Sequence, residues 1–138
     1  MNEPLPIFVY GTLQRGEERS NRWPHAPVCV ERATIRGQLR DLGPYPALID
    51  GDGIVLGELW TLDATHFDET IRVLDEIECF GNEDVDLYVR RVVECTTTDG
   101  ESKRAYTYYF GDPDAVKNVP VVTANQDGVS HWRHGEFN

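Results

Sequence analysis

"FVYGTLQRG", residues Phe8 to Gly16, runs apolar and aromatic residues straight into a glycine and a small hydroxyl residue, then turns polar at once. Ile7 to Tyr10 reads as a short apolar strand that Gly11 ends. Without a Cβ, glycine lets the backbone approach another group closely, and consecutive N–H groups in such a turn can hold a carboxylate or a carbonyl oxygen. The turn after this strand is therefore the first candidate for a binding site.

Working outward, Arg15 to Pro27 is polar and turn-rich, and Ala33 to Leu42 reads as a strand in which Gly37 marks a bulge or a close backbone approach. "GPYPALID" (Gly43 to Asp50) is expected to form a rigid turn, because both prolines fix φ and restrict the residue before them. A further strand covers Ile54 to Leu62, and Asp63 then looks like the N-cap of a helix from Ala64 to about Ile77. Tyr88 to Thr97 and Lys103 to Phe110 form a hairpin across "TTDGES", where Asp99-Gly100 is a strong turn signal. Gly111 to Asn138 reads as irregular. Several strands of similar length around one helix predict an α+β fold, a small mixed β-barrel or curled sheet, since a doubly wound sheet needs a helix after nearly every strand. Residues 1–138 are expected to form a single domain.

Composition narrows the partners. With 24 acidic against 13 basic residues the formal charge is -11, so the surface field repels phosphate backbones and anionic membranes. Only Lys103 and Lys117 are lysines and the acids are spread along the chain, a pattern that suits a protein kept soluble in concentrated salt, a possible halophile. No apolar run approaches the ~20 residues that span a bilayer, and Met1 to Pro6 lacks the basic start and apolar stretch of a secretory signal, so a cytoplasmic chain is expected.

Cys29, Cys79 and Cys95 form no Cys-x-x-Cys pair and are odd in number, which argues against a disulfide framework or structural zinc; they are expected to be small buried hydrophobes. Cys79 makes a poor nucleophile, because neighbouring acids raise a thiol's pKa. His131-x-x-His134 beside Glu136 has metal-binding residue types, but so near the C-terminus it reads as surface histidines, and no metal is expected. Trp23, Trp60 and Trp132 are expected in the core or at its rim.

The helix offers a second site candidate. At about 100° per residue, Phe67, Ile71, Leu74 and Glu78 fall within about 60° of one another, with Glu76 on the opposite side. Glu78 thus continues an apolar stripe. Either the helix end frays and its carboxylate reaches water, or the carboxylate sits in a semi-apolar cavity, where desolvation raises its pKa and makes it a proton carrier near neutral pH.

"FVYGTLQRG", "GPYPALI", "GELWTLD" and "LDEIECFGNEDVDLYVRRVVEC", in that order, resemble the gamma-glutamylcyclotransferase-like (AIG2-like) family, from Ile7 to about Phe110 and more weakly around Trp132. The resemblance implies a small mixed β-barrel with flanking helices, in which the loop Tyr10, Gly11, Thr12 and Leu13 and the catalytic Glu78 line one cavity. It implies an enzyme acting without cofactor on a small γ-glutamyl substrate, whose α-amine attacks its own γ-carbonyl to release 5-oxoproline and a free amine. Among Tyr88, Tyr106, Tyr108 and Tyr109, expected mainly to pack strands, Tyr88 is placed with the substrate-binding residues. The alternative is a non-catalytic module that binds a γ-glutamyl-like ligand. One departure is visible: the family commonly has glycine after the glutamate and a short link to Tyr-x-Arg, whereas here Cys79-Phe80-Gly81 and Asn82 to Asp86 intervene before Tyr88. The rim beside Glu78 therefore differs, and the identity of the leaving amine stays open.

Overall fold

A computed structural model describes residues 4–17, 19–43, 45–77 and 88–132. Across them run the strands β1 (Ile7–Val9), β2 (Cys29–Asp41), β3 (Pro46–Thr61), β4 (Tyr88–Thr97), β5 (Ser102–Phe110) and β6 (Val129–Ser130), with one α-helix, α1 (Phe67–Ile77). The strands neighbour one another in the order β1-β5-β4-β2-β3, and β1 pairs again with β3, so that five strands close into a barrel. β6 adds beside β1, on the edge of β3 away from β2. β1–β5 and β3–β6 are parallel and the other pairings antiparallel, which is the expected small mixed barrel with a helix beside it.

β1 reads as an unbroken apolar run because it is covered on both faces. Phe8 points into the barrel with Ala33, Ile35, Leu39, Val55 and Leu59, while Ile7 and Val9 pack with Phe67, Ile71 and Leu74 of α1. Along β2 the buried positions alternate, Ala33, Ile35, Gly37 and Leu39, as a strand with one covered face requires. The stripe on α1 is buried at Phe67, Ile71 and Leu74, joined by Thr70. Glu76 lies exposed on the far side, 3.7 Å from Arg72. Asp63 caps this helix, accepting from the Thr65 amide at 2.8 Å. The turn Ala64–His66 is 3-10, so the α-helix proper begins at Phe67, later than the periodicity predicts.

Three expectations need correction. "GPYPALID" is not a turn throughout: β3 begins at Pro46, and Pro46 to Ile49 pair with Asp41 to Gln38. Proline at the first position of a strand sacrifices no interior ladder bond, so the chain can turn just before it. There the Leu42 amide donates to the Tyr45 carbonyl at 3.1 Å, and Gly43 adopts φ +96°. Cys29 is exposed at the start of β2. Cys95 is buried as expected, its thiol pushed up to about 11 chiefly by desolvation; Cys79 lies outside the described residues. The segment after Phe110 is not wholly irregular, since it holds β6 and a 3-10 turn at Pro113–Val116. It also sends Val122 and Trp132 into the barrel interior. Gly37 does mark a bulge: Arg36 pairs with Ile54 but Gln38 with Ile49. Among the described residues no helix is long and apolar enough to cross a membrane.

Barrel closure demands a bare backbone at Gly57. A Cβ there would stand 2.4 Å from the Val9 carbonyl oxygen and 2.7 Å from the Phe8 ring, and β1 cannot retreat without losing its pairing on both sides. Gly57→Ala is expected to cost about 2–3 kcal/mol or more, measured by urea unfolding. A loss below about 0.5 kcal/mol, the range of neutral surface changes, would contradict the tight closure.

Candidate functional site

Where β1 ends, the chain enters a tight loop whose internal bonds leave a cavity on one side. The Gln14 amide donates to the Gly11 carbonyl (3.1 Å), the Glu17 amide to that of Gln14 (3.0 Å), and the Arg19 amide returns to Thr12 (2.8 Å). Gly16 closes the turn with φ +82°. Gly11 itself needs no unusual φ; a Cβ there would meet Pro46 Cδ at 2.9 Å, so the group that approaches its backbone closely is the start of β3. The amides of Gly11, Thr12 and Leu13, three buried residues, have no acceptor among the described residues. Three adjacent unspent donors cost free energy unless something accepts from them.

Those residues face a cavity of about 130 Å³ whose wall includes Val9, Tyr10, Thr12, Tyr45, Tyr88 and Tyr108. Tyr10, Gly11, Thr12, Leu13 and Tyr88, named from the sequence, all line it. Glu78 lies outside the described residues; its neighbour Ile77, the last residue of α1, is on the cavity wall.

Three of the four tyrosine hydroxyls on the wall are committed to the frame. Tyr10 donates to the Tyr108 carbonyl, Tyr88 to the Pro46 carbonyl at 2.7 Å, and Tyr108 to the Asp75 carboxylate at 2.7 Å. Their rings form the wall while their protons tie the end of β1 to β5, β4 to β3, and β5 to α1. Burial pushes the Asp75 carboxyl above its ordinary value, opposed by the Tyr108 hydrogen bond and by Arg90, 3.4 Å away.

Glu58, Gln14, Arg19 and Tyr45 escaped the sequence reading. Glu58, 5% exposed on β3, accepts from the Arg15 amide (2.8 Å), from Arg15 Nε (3.0 Å) and from Trp60 Nε1 (3.2 Å). Trp23 stacks on Trp60 with centroids 4.1 Å apart and donates to the Leu13 carbonyl at 3.1 Å. Gln14, fully buried, donates to Gly11 (3.2 Å) and to the Trp132 carbonyl (2.9 Å), fastening the loop to the C-terminal segment. Arg19 and Tyr45 line the cavity. The signal for Glu58 is a carboxylate two residues before a tryptophan in an apolar strand; Gln14, Arg19 and Tyr45 stand in polar or turn-forming sequence with nothing to single them out.

The metal question turns on a different cluster from the one the sequence offers. His131 is half-buried and lies 3.2 Å from Gln14 Oε1, so it is no free surface group; His134 and Glu136 lie outside the described residues. His25, His66 and Glu69 bring ligand-type atoms within 4.8 Å of one another. Their rings, however, stack face to face at 3.8 Å and 13°, so an ion in the plane of one imidazole would stand far out of the plane of the other. With His25 Nε2 2.6 Å from Glu69, the arrangement is a hydrogen-bonded stack that pins the loop to α1, and that contact holds the Glu69 carboxyl below its usual range.

Residues 7–133 match the family model described as gamma-glutamyl cyclotransferase, AIG2-like. A gamma-L-glutamyl-butirosin B gamma-glutamyl cyclotransferase from Niallia circulans is 33% identical over 115 residues, 80% of this chain and 70% of that protein. The gamma-glutamylcyclotransferase family protein YtfP of Escherichia coli K12 is 31% identical over 90 residues, covering 65% of this chain and 73% of its own. The crystal structure of a mouse AIG2-like protein superposes with a TM-score of 0.67 at 21% identity, over 97% of this chain and 99% of that one.

Glu58 braces the loop from behind, and its contribution is measurable. In Glu58→Gln one carboxylate oxygen becomes an NH₂ group facing a donor, so the variant is expected to lose about 1–3 kcal/mol in chemical denaturation. Stability unchanged within about 0.5 kcal/mol would show that the loop does not depend on this carboxylate.

Proposed function

From this chain's membership of the gamma-glutamyl cyclotransferase, AIG2-like family, we propose that it is an enzyme that cyclises a γ-glutamyl group to 5-oxoproline and frees the attached amine, with Glu78 as its acid–base residue. The observation that carries the reading is the set of unspent amides at Gly11, Thr12 and Leu13, buried against a small cavity that α1 reaches at its C-terminal end. At about 130 Å³ the cavity falls well below the ~300–1,000 Å³ that holds drug-sized ligands, which suits a group of glutamyl size. Neutral backbone donors accept an anionic amino acid without adding a side-chain charge that would itself need a partner.

In this mechanism the substrate folds back so that its α-nitrogen lies against its own γ-carbonyl carbon. The nucleophile is then effectively very concentrated, and the protein has only to position and to move protons. Glu78 takes a proton from the α-ammonium. The freed amine forms the new C–N bond, charge develops on the carbonyl oxygen, and loop amides aimed at that oxygen stabilise it. Collapse re-forms the carbonyl and breaks the original bond to the leaving nitrogen, which takes the proton from Glu78, while the ring nitrogen gives up its second proton, through the freed Glu78 carboxylate, to the departing amine, which leaves as an ammonium. These steps use proton transfer and positioning alone, without metal or cofactor. The free thiols of Cys29 and Cys95 fit a reducing, cytoplasmic setting.

Glu78→Gln keeps the shape of the side chain but cannot accept the ammonium proton. Its rate of 5-oxoproline release from γ-glutamyl compounds is expected to fall by roughly 10²- to 10⁴-fold while ligand affinity survives. Glu76→Gln, on the exposed face of α1, is the control that keeps full rate. Full turnover by Glu78→Gln would overturn the assignment, and no turnover of any γ-glutamyl compound by the unaltered protein would leave a binding module in its place.

A further inference from the structure

The cavity is graded in burial. Val9, Tyr10, Gly11, Thr12, Leu13, Pro46, Tyr88 and Tyr108 are all buried and form the floor, whereas Arg19, Tyr45 and Ile77 are half-exposed and form the mouth. Floor and mouth differ in charge as well. Among the described lining residues Arg19 is the one charged side chain. Its guanidinium has no hydrogen-bond or ion-pair partner among the described residues, in a chain where acids outnumber bases 24 to 13. Its backbone is fixed, because the Arg19 amide donates to the carbonyl of Thr12 within the loop that forms the floor.

Resting on the cyclotransferase reading above, we propose that Arg19 selects the leaving half of the substrate, favouring an amine that carries a carboxylate, as a γ-glutamyl amino acid or peptide does, over a neutral or cationic amine. A cavity that holds only a glutamyl-sized group leaves the leaving amine at the mouth. There it meets the Arg19 guanidinium beside the Tyr45 ring and Ile77. A guanidinium presents a planar fork that matches a carboxylate in two parallel hydrogen bonds and repels an ammonium. The overall charge of -11 favours cations at long range, but that field is screened within about 8–10 Å at ordinary ionic strength, so the contact at the mouth decides.

The test uses γ-glutamyl-alanine and its C-terminal amide, γ-glutamyl-alaninamide, which differ only in the charge of the leaving half. Calorimetric binding to the Glu78→Gln protein, with and without Arg19→Gln, should show the acid bound about tenfold more tightly than the amide. Arg19→Gln should abolish that ratio by weakening the acid alone, and half-molar potassium chloride should shrink it in the parent. A parent ratio near one overturns the proposal. So does equal weakening of both compounds by Arg19→Gln, which would place Arg19 on the shared glutamyl half or in the fold. Turnover of the same two compounds by the protein with Glu78 intact reports separately on the cyclotransferase reading; its absence would sink that reading while the binding ratio still decides the role of Arg19.

Discussion

β1 holds the barrel shut from both sides at once: Ile7 pairs with Trp60 of β3 and with Tyr106 of β5, and no other described strand bridges those two edges. The same three residues separate the two apolar clusters, Phe8 inward and Ile7 and Val9 toward α1. Because the strand is short and anchored on both edges, the residues that follow it emerge at a fixed place and in a fixed direction. The Gly11 to Leu13 loop is therefore placed by the closure of the barrel, and the cavity exists only while that closure holds.

Around the loop, hydrogen-bonding capacity is divided unequally. Side chains that could have faced a ligand are spent on the frame: the hydroxyls of Tyr10, Tyr88 and Tyr108 donate to structural acceptors, Glu58 gathers the Arg15 donors, and Gln14 reaches Trp132. Among the described residues nothing accepts from the backbone amides of Gly11, Thr12 and Leu13. Fixed donors of this kind need little reorganisation when a ligand arrives, which is the condition for strong electrostatic stabilisation in a small site.

Much of this was legible in the sequence because it rests on local rules. The apolar run of β1, the cap at Asp63, the stripe Phe67–Ile71–Leu74 and the Asp99-Gly100 turn follow from periodicity and residue chemistry, and the loop beginning at Tyr10 announced itself by its glycine. The extension of β3 back to Pro46 was hidden, since two prolines read as a turn until the partner strand β2 is known to reach Asp41. Glu58, Gln14 and Arg19 were hidden for a related reason. Each takes its role from a group distant in sequence or from the cavity itself, and a single chain read locally carries no register.

The central claim is that the three unspent amides receive the glutamyl moiety. Titrating ¹⁵N-labelled protein with 5-oxoproline and following backbone amide resonances tests it most directly. Saturable shifts that are largest at Gly11, Thr12 and Leu13, with their amide protons moving downfield as hydrogen bonds form, are the predicted result. Saturable binding that leaves those three resonances in place and moves others would contradict the account.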